Sequence, residues 1–167
     1  GRRRHGGGVE LTTHEIRFVG SHTEEITAGE DDHLEIHETI EELMVAANSA
    51  VAQKLVAHFP SNALLRKHDA PPADKLKRLH AICDYLGIEV NTANNYTFAR
   101  SIDAVRKLPS SAEKDMLMLL FRNSMAEAQY VSSGDCPAGT AHYGLGIDRY
   151  THFTSPIRRY ADIVVHR

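Results

Sequence analysis

Cysteine is scarce in this 167-residue chain: Cys83 and Cys136 stand far apart, and neither has a CxxC partner. A disulfide framework or a cysteine-based zinc site is therefore excluded, and a reducing intracellular compartment is the default expectation. Long apolar runs are missing too. None approaches the roughly 18 residues of a membrane-crossing helix, and no apolar signal-type segment stands among the first residues. No membrane association is expected. Nor is there a basic excess. Lys and Arg total 19 against 22 Asp and Glu, which leaves a net charge of −3 with the 11 His neutral. A module that holds nucleic acid by charge alone is strongly basic, so any such contact here must come from local features. The chain carries no internal repeat and no low-complexity tract.

The hydrophobic fraction of 42% and the charged fraction of 25% belong to an ordinary globular protein. The length suits about one domain. The chain starts with Gly1 and stops at Arg167 inside a helical pattern, so a fragment of a longer protein is expected, truncated at both ends.

The opening GRRRHGGGVE joins a basic cluster to three glycines, either a surface turn or a basic rim. VELTTHEIRFVG alternates as a strand or hairpin does. The polar stretch from Ser21 to Asp32 reads as a loop. From about Ile36 to Phe59, the residues Ile40, Leu43, Met44, Ala47, Val51 and Leu55 recur at helical spacing. ALLRKH, at 63–68, reads as a short strand. Pro71 and Pro72 then fix the entry to a helix that ends at Gly87. A further helix is expected from Tyr96 to Lys107, and another, capped by Ser111, reaching about Val131 with Met116, Leu117, Leu119, Leu120 and Met125 in the core. The resulting class is α+β and mostly helical: four or five helices with a few short strands that belong to a larger sheet.

The chain ends YTHFTSPIRRYADIVVHR. Thr154 or Ser155 suits an N-cap and Pro156 the first helical position, so a helix is predicted from Pro156 with Arg158 and Arg159 in its first turn. Helix N-termini are positive and favour acids. Two arginines there call for an anion. A phosphate fits, because it can accept backbone N–H groups, the Thr154 and Ser155 hydroxyls and a bidentate guanidinium. Asp162 is spaced to hold Arg158 by an i,i+4 contact. A capped surface helix whose arginines face solvent or pair elsewhere fits the spacing equally well. At this level the phosphate could belong to RNA, a nucleotide or a phosphopeptide.

YTHFTSPIRRYAD resembles the C-terminal signature of the ribonuclease II (RNB) family. The likeness continues through TIEELMVAANSAVAQKL, FPSNALLRKHDAPP, RNSMAEAQY and HYGLG, in the family's order. It is strongest to the family's eukaryotic branch that works with the RNA exosome. The resemblance implies that residues 1–167 are the C-terminal portion of a single RNB domain. It implies a processive, hydrolytic 3′-to-5′ exoribonuclease that acts on single-stranded RNA and releases nucleoside 5′-monophosphates. The alternative is a catalytically inactive RNB-like RNA-binding or scaffold protein. Exosome core subunits enter as candidate partners, in the nucleus or the cytoplasm. Arg158 matches the arginine at the scissile phosphate. Glu41 matches a glutamate beside the 3′-terminal nucleotide, where a carboxylate can accept from ribose hydroxyls; by spacing alone it reads as part of a solvated face.

Other candidates stand on the residues themselves. Asn48, two turns after Glu41 among alanines, is either a satisfied core amide or an active-site orienter. Arg66 either lines an RNA channel or forms a salt bridge. His152 and Phe153 either stack on a base or, the simpler reading, pack under the last helix. HLEIH, at 33–37, is not HExxH and is a poor metal site. The family holds Mg2+ with an aspartate cluster that nothing here matches; Asp31-Asp32 stands alone. No metal ligand is assigned in this chain, and the ligands are expected upstream.

Overall fold

A computed structural model describes residues 8–9, 16–21, 24–30, 35–136 and 139–167. Two antiparallel strand pairs and five helices make up its regular structure. Strand β1 (Ile16–Ser21) pairs with β2 (Glu24–Glu30), with a register shift between Val19 and Ser21. Strand β3 (Leu64–Lys67) pairs with β4 (Gln129–Ser132). The helices are α1 (Glu35–His58), α2 (Ala73–Tyr85), α3 (Asn95–Arg106), α4 (Ala112–Ser124) and α5 (Tyr160–His166). The basic cluster at 2–4, Asp31-Asp32 and His33 lie outside the described residues.

Local signals set the helix ends. Asn94 and Thr97 form a reciprocal capping box on α3, and the Ser111 hydroxyl accepts the Lys114 amide at the start of α4. Helix α2 stops at Gly87, whose φ of 68° needs a residue without Cβ. The Ile88 amide reaches back to Cys83 O and the Gly87 amide to Asp84 O, a Schellman closure.

Helices α2, α3 and α4 bury Leu79, Cys83, Phe98, Ile102, Val105, Leu117 and Phe121 in one core. A smaller cluster joins α1 to β3 through Ala52, Ala63 and Leu65. Alanine on α1 is what lets the strand approach this closely.

Four expectations fail. The acidic stretch at 21–32 is not simply a loop, since 24–30 forms β2. A two-stranded ladder satisfies backbone groups whatever the side chains are. Helix α4 ends at Ser124 rather than Val131, because Met125 turns extended and Gln129–Ser132 pairs with β3. Aromatic and β-branched Tyr130 and Val131 suit that ladder. The last helix starts at Tyr160 rather than Pro156, and Arg159 before it is extended. Finally, Met116 and Leu119, read as core, are on the surface, and the apolar face of α1 is open at Leu43, 66% exposed.

Candidate functional site

The segment before α5 lies along the free edge of β3. Arg66 N donates to Tyr150 O at 2.7 Å, and Thr151 Oγ1 donates to Leu64 O at 2.8 Å. Strand β4 occupies the opposite edge, with Tyr130 directly across from Arg66. Strand β3 thereby holds the segment on which the sequence motif sits.

Helix α1 fixes the next residues through Asn48, which is buried. Its Oδ1 accepts the amides of Phe153 (3.0 Å) and Thr154 (3.2 Å), and its Nδ2 donates to Tyr150 Oη at 3.0 Å. Two main-chain donors on one end of the amide settle which end is oxygen. Asn48 thus orients the loop, with both ends of its amide hydrogen-bonded within the protein. Ser49 adds a hydrogen bond to Arg149 O.

Asp162, fully buried on α5, fixes the other end. Its carboxylate accepts the Ser155 amide at 2.7 Å and a fork from Arg159, Nε at 2.6 Å and Nη2 at 2.8 Å. Burial pushes the Asp162 carboxyl up, but Arg159 and the Ser155 amide outweigh it and hold the group below its ordinary value. Its hydrogen bond to Asp162 correspondingly raises Arg159. The expected Arg158–Asp162 pair is replaced by Arg159–Asp162. The reason is the late helix start: residue 158 is not helical, so an i,i+4 contact from it has no helix to run on.

Between these anchors, Ser155 O accepts the amides of both Arg158 and Arg159 at 3.2 Å and closes a turn. The turn exposes Pro156, Ile157 and Arg158. Arg158 has no ion-pair partner among the described residues. Thr154 Oγ1 is buried and has no hydrogen-bond partner among the described residues. Ser155 is buried, with its backbone engaged at both N and O. Glu41 is exposed on α1, seven residues before Asn48 on the same face, about 10 Å up the helix axis.

A row of rings backs the loop. His68, His142, Tyr150, His152 and Tyr130 meet edge to face in that order, with centroids 4.9 to 5.6 Å apart. His68 is locked in one neutral form: Nδ1 accepts the Gly144 amide and Nε2 donates to Ala126 O. Burial, then the neighbouring His68 and Arg66, push His142 down to about 3. Burial, then Arg159 and Arg66, push His152 down to about 4. Tyr130 Oη hydrogen-bonds His152 Nδ1 at 2.6 Å, and the Arg66 guanidinium lies over the Tyr130 ring at 5.0 Å. Phe153 stacks on His166 at 4.2 Å, so it packs against the last helix as the simpler reading held.

Asn48, Thr154, Ser155, Arg158 and Arg159 therefore meet in one loop, with Arg66 beside it and Glu41 two turns up α1. The ring row was not foreseen. Its members come from four separate segments, and no spacing in the sequence links them. Among the described residues no cluster of three or more His, Cys, Asp or Glu could hold a metal ion. The nearest carboxylate, Asp162, already accepts three N–H groups. Magnesium does not fit the donor set of the described residues. No helix among the described residues is long and apolar enough to cross a membrane.

Comparison with known proteins places this geometry. The model for "RNB domain" matches residues 1–167. The chain is 36% identical to a protein from Caenorhabditis elegans described as a probable exosome complex exonuclease RRP44, over 99% of this chain and 18% of that protein. Mycoplasma genitalium RNase R, solved in complex with double-stranded RNA, superposes with a TM-score of 0.81 at 28% identity, over 99% of this chain and 29% of that one. Yeast Ssd1, described as a pseudonuclease, superposes with a TM-score of 0.68 at 32% identity, over 77% of this chain and 16% of that one. The chain thus spans about a fifth of the length of the curated relative it matches.

Proposed function

This chain belongs to the RNB domain family, and on that premise we propose that it supplies the phosphate-gripping part of a 3′-to-5′ exoribonuclease, in which residues 1–167 are the C-terminal portion of a single RNB domain. The substrate is single-stranded RNA and the products are nucleoside 5′-monophosphates, in RNA processing and decay. The protein works inside the cell, in the nucleus or cytoplasm, with exosome core subunits as partners.

One observation carries this reading. Arg158 is an exposed arginine without a carboxylate partner among the described residues, on a turn whose flanks are pinned by Asn48 and Asp162. The backbone that carries this guanidinium is fixed before substrate arrives, so only the side chain itself remains to be ordered on a phosphate. Its fork matches two phosphate oxygens and offsets charge that develops there. Arg159 gives two N–H groups to Asp162 and serves to hold the loop. The Thr154 hydroxyl, buried without a partner, is available to the phosphate or its water after a small rotation. Glu41, exposed on α1, accepts from ribose hydroxyls at the 3′ end. A Mg2+ ion, whose ligands would come from outside the described residues, would supply water activation.

The test is incubation of the complete protein with 5′-labelled single-stranded RNA and magnesium. Stepwise shortening from the 3′ end, lost on Arg158→Ala, supports the reading. The likeness to a pseudonuclease favours one alternative, an RNA-binding scaffold without catalysis. RNA binding with no shortening would select it.

A further inference from the structure

Tyr150 is buried where β3, α1 and the motif segment meet. Its main chain is tied to β3, because Tyr150 O accepts the Arg66 amide at 2.7 Å. Its ring is wedged edge to face between His142 and His152, with centroids 5.3 and 5.6 Å away. The hydroxyl is therefore delivered to one place, and there it accepts Nδ2–H of Asn48 at 3.0 Å. The grip on phosphate makes no direct use of this hydroxyl.

The contact bears on the turn through the other end of the same amide. The Asn48 oxygen accepts the amides of Phe153 and Thr154, which occupies both of its lone pairs. These two residues stand directly ahead of Ser155, whose carbonyl closes the turn on the Arg158 and Arg159 amides. Held only by its oxygen, the Asn48 amide is free to swing about its last torsion together with the segment it holds. Tyr150 Oη takes the opposite end, from a point fixed on β3, and stops that swing. Asn48 is buried, so bulk water does not replace a lost acceptor. An unpaired buried donor is costly, and the amide moves to relieve it. The turn then moves with it, and a displacement of about 1 Å at a reacting group is enough to cost about 100-fold in rate.

We propose that the Tyr150 hydroxyl is a positioning group for Arg158: through the Asn48 amide it sets the place of the turn that carries this arginine. This rests on the reading of Arg158 as a phosphate contact. Tyr150 touches neither the RNA nor the reacting atoms, so its effect falls on the rate and not on the affinity.

The experiment measures single-turnover shortening of 5′-labelled single-stranded RNA by an excess of the complete protein in magnesium, and RNA affinity in EDTA. Tyr150→Phe removes one oxygen and keeps the ring. It is expected to lower the single-turnover rate about ten-fold or more, with affinity changed by no more than about two-fold. Two backgrounds show whether the loss travels through Asn48 and Arg158. On Asn48→Ala, and on Arg158→Ala, adding Tyr150→Phe is expected to lower the rate no further. A loss that persists in the Arg158→Ala background marks a hydroxyl that only stabilises the fold, and it overturns the proposal. A Tyr150→Phe rate equal to wild type, or equal losses in rate and affinity, overturns it too. If Asn48→Ala does not fold, the Arg158→Ala background decides alone. In all of these outcomes a rate lost on Arg158→Ala itself leaves the Arg158 reading in place. A rate unchanged by Arg158→Ala, or no shortening by wild type, overturns both.

Discussion

The Asp162 carboxylate grips Arg159 and the Ser155 amide at once, so α5 and the turn before it form one rigid piece. Arg158, one residue away, is left facing solvent. Adjacent arginines thus have opposite jobs, and the first prediction separates them.

Arg158→Ala is expected to lower turnover of the complete enzyme by about 100-fold or more, with a much smaller loss in RNA affinity, as for a group whose contact strengthens in the transition state. Single-turnover rates and binding isotherms measure the two. Equal losses would make Arg158 a positioning contact. Arg159→Ala is expected instead to lower the melting temperature.

Asp162→Ala leaves a partly buried guanidinium and the Ser155 amide unpartnered, and it is expected to destabilise the fold by about 3 kcal/mol. The pH dependence has a defined sign. A carboxyl held below its ordinary value of 3.8 contributes stability that is present above that pH and lost as pH falls through its folded value. Urea midpoints recorded below pH 4 should therefore fall for wild type and stay flatter for Asp162→Asn.

His142 and His152 are depressed from 6.5 to about 3 and about 4. The unfolded chain then binds more protons than the fold between those values and 6.5, so stability is complete above pH 6.5 and drains as pH falls below it. The NMR ring signals of both histidines are expected to stay in the neutral form at pH 5. Titration of either near 6.5 would contradict the buried ring row.

Gly144 has no room for a side chain: a Cβ there would stand 2.7 Å from His68 Nδ1, the atom its own amide donates to. Gly144→Ala is expected to cost about 1–3 kcal/mol, read by thermal melting, and to free the His68 ring. Gly139→Ala meets no atom within 4 Å but sits at φ 98°, so its effect should come from backbone strain alone.

The 167-residue chain by itself is expected to leave 5′-labelled RNA uncut in magnesium, since no cluster among its described residues could hold the metal. Stepwise shortening would overturn this expectation.

What the sequence determined by itself was local. The five helices follow from apolar spacing, from caps such as Ser111 and from stops such as Gly87, because helix formation depends on residues a few positions apart. The α+β class and the RNB family were legible in contiguous motifs for the same reason. Tertiary structure decided the rest. Residues 129–132 continue a helical pattern until β3 offers a ladder, and Asp162 is spaced for Arg158 until the late start of α5 hands it to Arg159. Asn48 reads as either core or ligand contact until Tyr150, Phe153 and Thr154 arrive from 102 to 106 residues away and take both ends of its amide. Which of two adjacent arginines is left facing solvent is a matter of which one a buried carboxylate has already claimed, and that depends on a contact geometry that residue spacing along the chain does not contain.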